Sequence, residues 1–228
     1  AIATANLLPD TQSGIRKFID ELPGLGIENA NGLGQYIPIA VPDKTTFPGS
    51  DYYEIEIVEY SEQMNSDLPP TTLRGYRQTN IDPPVEPHYF GPMIIAEKDT
   101  PVRITFTNNL PTGNEGDLFI PVDTTIMGAG PGPLDDEGNP CNYREGGECE
   151  YYTENRTSVH LHGAFTPWIS DGTPHQWFTP EGEITQYTEG ASYENVPDMW
   201  FDTGGNIIQD TVGVTTPPQA GAVNSLPG

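Results

Sequence analysis

Glycine and proline punctuate this sequence so densely, 25 and 24 of 228 residues, that a long helix has almost nowhere to run. Glycine loses more backbone entropy than other residues in regular structure, and proline removes an N–H and clashes with the preceding helical turn. Both belong in turns between short extended segments, so the chain is predicted to be all-β. In "YYEIEIVEYSEQM", Tyr53, Ile55 and Ile57 alternate with Glu54 and Glu56, the period of a half-buried strand. "LPPTTLRGYRQTN" reads as an extended, turn-bounded segment. "GPMIIAEKDTPVRITFTNNLPTG" predicts two strands around a turn at 98–101, with Val102, Ile104 and Phe106 facing one way, and "TSVHLHGAF" predicts another strand. Only "DTQSGIRKFIDEL", residues 10–22, has the apolar spacing of a short amphipathic helix. No internal repeat is visible. Four or five clear strands are few for a closed sandwich or barrel.

Acidic residues outnumber basic ones 33 to 9, for a formal charge of −24. Such a surface repels nucleic acid and anionic membranes and gathers cations. No apolar run approaches the roughly 20 residues that span a bilayer. The opening "AIATANLLPD" lacks a charged region followed by an apolar core, so a signal peptide is absent and is expected to have been removed from a secreted, periplasmic or cell-surface protein. Cys141 and Cys149, with turn-forming residues between them, read as a small disulfide loop and hence an oxidising compartment, with two free thiols as the alternative.

Three of the four histidines fall in "TSVHLHGAFTPWISDGTPHQWF", residues 157–178. On a strand, His160 and His162 project from one face while Val159 and Leu161 point to the other, toward a core. Their Cα atoms then lie roughly 6–7 Å apart, so the rings can converge on one metal or reach two neighbouring ones. Gly163 removes a side chain beside them. Two surface histidines satisfied by hydrogen bonds, a zinc site and an iron site all fit this spacing as well. His175 reads as an outer or surface residue, and His88 as a loop residue. Trp168 and Trp177 read as packing, and Asn155-Arg156-Thr157 is a glycosylation sequon by pattern only.

The wider context is more specific. "SVHLHGAFTPWISDGTPHQWF", with Asp171–Gly172 nine residues after His162, resembles the first copper-binding segment of the multicopper oxidases, laccase-like blue copper enzymes, in the branch of spore-coat laccase, phenoxazinone synthase and bilirubin oxidase. "LPPTTLRGY", "GPMIIAEKDTPVRITFTNNLP" and "DLFIPVDTTIMGAG" resemble the opening strands of that family's first cupredoxin domain, and the likeness spans roughly residues 50–200. It implies a cupredoxin-like Greek-key sandwich or barrel. The expected organisation is an arm with a short helix over 1–50, a first cupredoxin-like domain over 51–202 with the disulfide loop at 128–153, and a C-terminal loop over 203–228.

By the same resemblance, His160 takes the type 2 copper, His162 one ion of the type 3 pair, and Asp171 aids proton delivery to a cluster that reduces O₂ to water. An Asp-Gly turn is the bland reading of Asp171. A complete oxidase holds about four coppers and four His-x-His-type segments. This sequence has one such segment and no cysteine flanked by histidines. The fold and the copper set are therefore expected to be incomplete here and finished by a second polypeptide, in an enzyme oxidising phenols, aromatic amines or metal ions. A copper-binding module without turnover, and a zinc or iron enzyme on another β-fold, are the competing functions.

Overall fold

Strands dominate because the β-branched and aromatic residues come in short runs between turn formers, and the architecture follows from how those runs find partners. A computed structural model describes residues 14–163, 171–172, 175–190, 200–204, 206–208 and 218–224. Its strands are β1 (Asp51–Glu62), β2 (Thr71–Gln78), β3 (Val102–Asn108), β4 (Trp200–Phe201), β5 (Ile207–Ile208) and β6 (Val223–Asn224). They form two three-stranded sheets, ordered β2-β1-β3 and β5-β4-β6. Among the described residues the helical elements are single 3-10 turns at Ile27–Asn29, Gly113–Gly116 and Tyr143–Glu145. The chain is all-β, as predicted, with open sheets consistent with a cupredoxin-like domain. It divides into two units, Ala1–Thr105 and Phe106–Gly228.

In the first unit β1 is the central strand, antiparallel to β2 in a register that sets Glu56 opposite Arg77 and Glu59 opposite Arg74. Both pairs are ion pairs, the second at 3.1 Å. Tyr53, Ile55 and Ile57 are buried as their period predicts, but so are Glu56 and Val58, so the strand is covered on both faces rather than one. The Arg77 partner is what makes burial of Glu56 tolerable; removing one member of such a pair typically costs about 3–5 kcal/mol. Gly75 lies under the Tyr60 ring, where an added Cβ would come within 3.2 Å.

Some expectations are corrected. The turn before β3 is present, closed by the Thr100 N–H to the Glu97 carbonyl. The strand expected ahead of it is reduced to one bridge between Met93 and Ile39, because Pro92 lacks a donor and no longer ladder forms beside it. The helix expected over 10–22 does not form across its described part, 14–22. Phe18 takes a left-handed φ of 60° and, like Leu22, is 90% exposed, so the apolar stripe packs on nothing that would hold a helix. Instead Arg16 is tied down by paired hydrogen bonds to the Asp67 carboxylate. Residues 10–13 lie outside the described residues. Residues 203–228, read as loop, contain β5 and β6.

The second unit is held by a loop, 130–152, folded back on itself through bridges Pro131–Tyr151 and Leu134–Pro140. The predicted disulfide joins Cys141 to Cys149. Tyr187 docks this loop: its hydroxyl accepts from Leu134 N–H at 2.8 Å and donates to the same residue's carbonyl at 3.2 Å, while its ring covers Gly132.

Candidate metal centre

The histidine segment is anchored at its base. Thr157 and Phe178 exchange both backbone hydrogen bonds at 3.0 Å, bringing the two ends of the histidine segment together. The Asn108 amide donates across that base to the carbonyls of Asn155 (2.9 Å) and Phe178 (3.0 Å). Beyond Thr157 the chain leaves the ladder. The strand predicted over the histidine motif is therefore one bridge followed by irregular chain. The physical reason is local: Asp171–Gly172 returns against Val159 and His160 in place of a neighbouring strand. Gly172 sits so close that an added Cβ would be 2.8 Å from the Val159 carbonyl oxygen and 2.9 Å from His160 Cβ. Leu161, expected in the core, is 51% exposed, and Val159 is half-buried.

This return fixes His160. Its Nδ1 lies within hydrogen-bond range of the Asp171 carbonyl oxygen and 3.1 Å from the Asp171 carboxylate. Both are acceptors, so Nδ1 carries the proton and the Nε2 lone pair is left to act as donor to a metal. Orientation of a ligating imidazole through its other nitrogen is how such side chains are prepared for a metal. The His162 ring centroid is 5.6 Å from that of His160, with the planes inclined by 39°. Both residues are exposed, His160 by 48% of its side chain and Asp171 by 61%.

Imidazole ligands in general suit copper or zinc, with bonds of about 2 Å. Among the described residues no three His, Cys, Asp or Glu side chains are grouped so as to hold a metal ion. Both cysteines are taken up by the disulfide, leaving no thiolate in this sequence.

The remaining residues singled out from the sequence fall elsewhere. His88 is in the first unit, with Nδ1 2.7 Å from the Glu62 carboxylate and its ring 4.2 Å from Tyr36. His175 is exposed, and Trp168 lies outside the described residues. Trp177 packs as expected, edge-on to Tyr152 at 5.7 Å. Asn155, the sequon asparagine, is 1% exposed, with its amide donating to Pro111 O at 2.8 Å and to Glu183, so it is closed to a glycan in the folded chain. Sequence reading missed Asn108 and Arg156, polar residues whose partners are backbone carbonyls and rings that leave no spacing pattern.

A β-rich chain thus places two imidazoles close together, with His160 held at Nδ1 by Asp171. The chain is 34% identical over 172 residues to a laccase of Bacillus stratosphericus and 30% identical over 171 residues to a laccase of Bacillus subtilis (strain 168), each match covering 75% of this chain and 25% of the relative. A laccase of Haloferax volcanii is 27% identical over 189 residues, 80% of this chain and 26% of its own. No family model matches the chain. Across the matched stretch the chain belongs to the multicopper oxidase family, and it spans about a quarter of the length of these curated relatives.

Proposed function

We propose that this chain is the N-terminal part of a laccase-like multicopper oxidase and supplies the first His-x-His of its trinuclear copper cluster, His160 to the type 2 copper and His162 to one type 3 ion. The observation that carries the reading is the contact of His160 Nδ1 with Asp171 beside His162, in a chain 34% identical over 172 residues to a laccase. When bound, copper supplies the one-electron steps by which four electrons reach O₂. The chain's own share is chemistry at the ligands. Asp171 holds the His160 proton on Nδ1, and its half-exposed carboxylate is open to water, where it can pass protons inward; reduction of one O₂ consumes four. The acidic surface favours cationic reducing substrates, Mn(II) or Fe(II), alongside phenols and aromatic amines.

In this reading the other ligands and the type 1 copper come from outside these 228 residues. Exposed apolar side chains support a covering partner, among them Ile39 and Met93, which pair with each other at a bridge. The disulfide supports an oxidising, extracytoplasmic setting. Among the described residues no helix is long and apolar enough to cross a membrane. Metal analysis and spectroscopy of the complete assembly test the reading: copper near four per assembly, and a His160→Ala variant that loses O₂ reduction but keeps the type 1 blue band. Stoichiometric zinc or iron, or loss of the blue band in that variant, contradicts it.

A further inference from the structure

Arg156 is an arginine without an acid. In a chain of charge −24, its guanidinium meets two backbone carbonyls and two aromatic faces and, among the described residues, no carboxylate. Nε donates to the Thr153 carbonyl at 2.8 Å and Nη2 to the Gly128 carbonyl at 2.9 Å. The guanidinium carbon stands 4.7 Å from the Tyr152 ring centre and 4.8 Å from that of Trp177. A surface arginine in so acidic a protein has many carboxylates to choose from. Here burial, which lowers its pKa, is accepted in exchange for contacts with rings and carbonyls.

The placement gives those contacts a purpose. Arg156 precedes Thr157 and Trp177 precedes Phe178, and Thr157 and Phe178 are the residues that close the base of the histidine loop. The stack therefore joins the two chain ends a second time, one residue outside the backbone bridge on one side and one residue inside it on the other. Tyr152 extends the hold, its ring 4.5 Å from Tyr187, which docks the disulfide loop.

We infer that Arg156, set against the edge-on pair of Tyr152 and Trp177, is a positioning residue for the metal ligands: it holds the Thr157–Phe178 bridge closed so that His160 and Asp171 meet before copper arrives. This rests on the copper reading of His160 and His162. Lysine retains the charge but cannot donate from two separate nitrogens to the Thr153 and Gly128 carbonyls while packing a planar group against two rings, so the guanidinium fork is the property to test.

The experiment uses the 228-residue chain with Cu(II) alone, measuring affinity by chelator competition and amide exchange in the metal-free state. Arg156→Lys is expected to weaken His160-dependent Cu(II) binding by about tenfold, the scale of outer-shell losses. It should also speed exchange at the Thr157 and Phe178 amides by about tenfold, as local opening would, with Ile55 and Ile57 in β1 unchanged. Trp177→Phe, which keeps a ring, should restore most of what Trp177→Ala loses. Arg144→Lys, altering an exposed arginine 5.8 Å from its own neighbour Tyr143, should change nothing. Wild-type affinity and exchange in Arg156→Lys would overturn the inference, and so would acceleration of the β1 amides to the same degree, which would mean general unfolding. If the unaltered chain shows no Cu(II) binding that His160→Ala removes, the copper reading fails, while exchange at Thr157 and Phe178 still decides the role of Arg156.

Discussion

Gly172→Ala separates a glycine that turns the chain from one that also makes room for a ligand. Gly172 and Gly163 both adopt left-handed φ, 68° and 77°, in the same loop. For an L-residue that conformation costs about 1–2 kcal/mol. At Gly163 nothing among the described residues lies within 4 Å of an added Cβ, so Gly163→Ala should cost only that. At Gly172 the new methyl would meet Val159 O at 2.8 Å, His160 Cβ at 2.9 Å and His160 Cα at 3.1 Å. These are backbone or near-backbone atoms that cannot rotate aside, and overpacking of this kind adds about 1–3 kcal/mol. Gly172→Ala should therefore cost about 2–5 kcal/mol in total if the loop stays closed. The alternative is for the Asp171–Gly172 return to lift off, which separates Asp171 from His160 Nδ1. Thermal melting reports the first outcome. Nitrogen chemical shifts of the imidazoles report the second, as loss of a single Nδ1–H tautomer at His160. Equal stability and equal His160 shifts in the two alanine variants would refute the close-contact argument and leave only the turn.

Two further outcomes follow from groups away from the metal centre. Burial, with Glu62 and Tyr89 nearby, pushes the Tyr60 phenol up to about 12, while an unfolded tyrosine ionises near 10. The protonated form is the one the fold favours, so the stability linked to Tyr60 is complete below pH 10 and is lost as pH rises from 10 to 12. The Tyr60 hydroxyl is buried with no hydrogen-bond partner, so Tyr60→Phe should leave neutral-pH melting nearly unchanged and flatten the alkaline decline; a large neutral-pH loss would show a bond to that hydroxyl. Replacing Cys141 and Cys149 together with serine opens a short loop, for which chain entropy predicts a loss of about 2–3 kcal/mol, read by melting with and without reductant. No loss would mean that the Tyr187 contacts alone hold the loop.

What was legible in the sequence was whatever leaves a period or a pair. The alternation through Tyr53, Ile55 and Ile57 located β1, and the cysteine spacing located the disulfide. The same period misled at Glu56, because alternation reports the chemistry of a face and not whether a partner such as Arg77 neutralises it there. It misled again at Leu161, where a local return of the chain took the place of a strand neighbour. The amphipathic spacing of residues 10–22 was real, but a short helix needs a surface to pack on, and Phe18 and Leu22 have none. His160 and His162 stood out by their spacing, and Asp171 by the family resemblance. The tautomer did not, since it depends on a carbonyl eleven residues away arriving within bonding distance.

The unequal treatment of the two imidazoles suits a site assembled from more than one segment. A ring free to rotate and change tautomer must lose that freedom when metal binds, and each ordered side chain subtracts about 0.5–1.5 kcal/mol from affinity. At His160 the loss is taken during folding, through Asp171, Gly172 and the closed loop base. Among the described residues no hydrogen bond to the His162 ring matches the one at His160. Fixing one ligand gives the metal a defined first contact. If the copper reading holds, remaining ligands would have to match His160 as Asp171 sets it, with His162 only 5.6 Å away, so any change that frees His160 should weaken metal binding first.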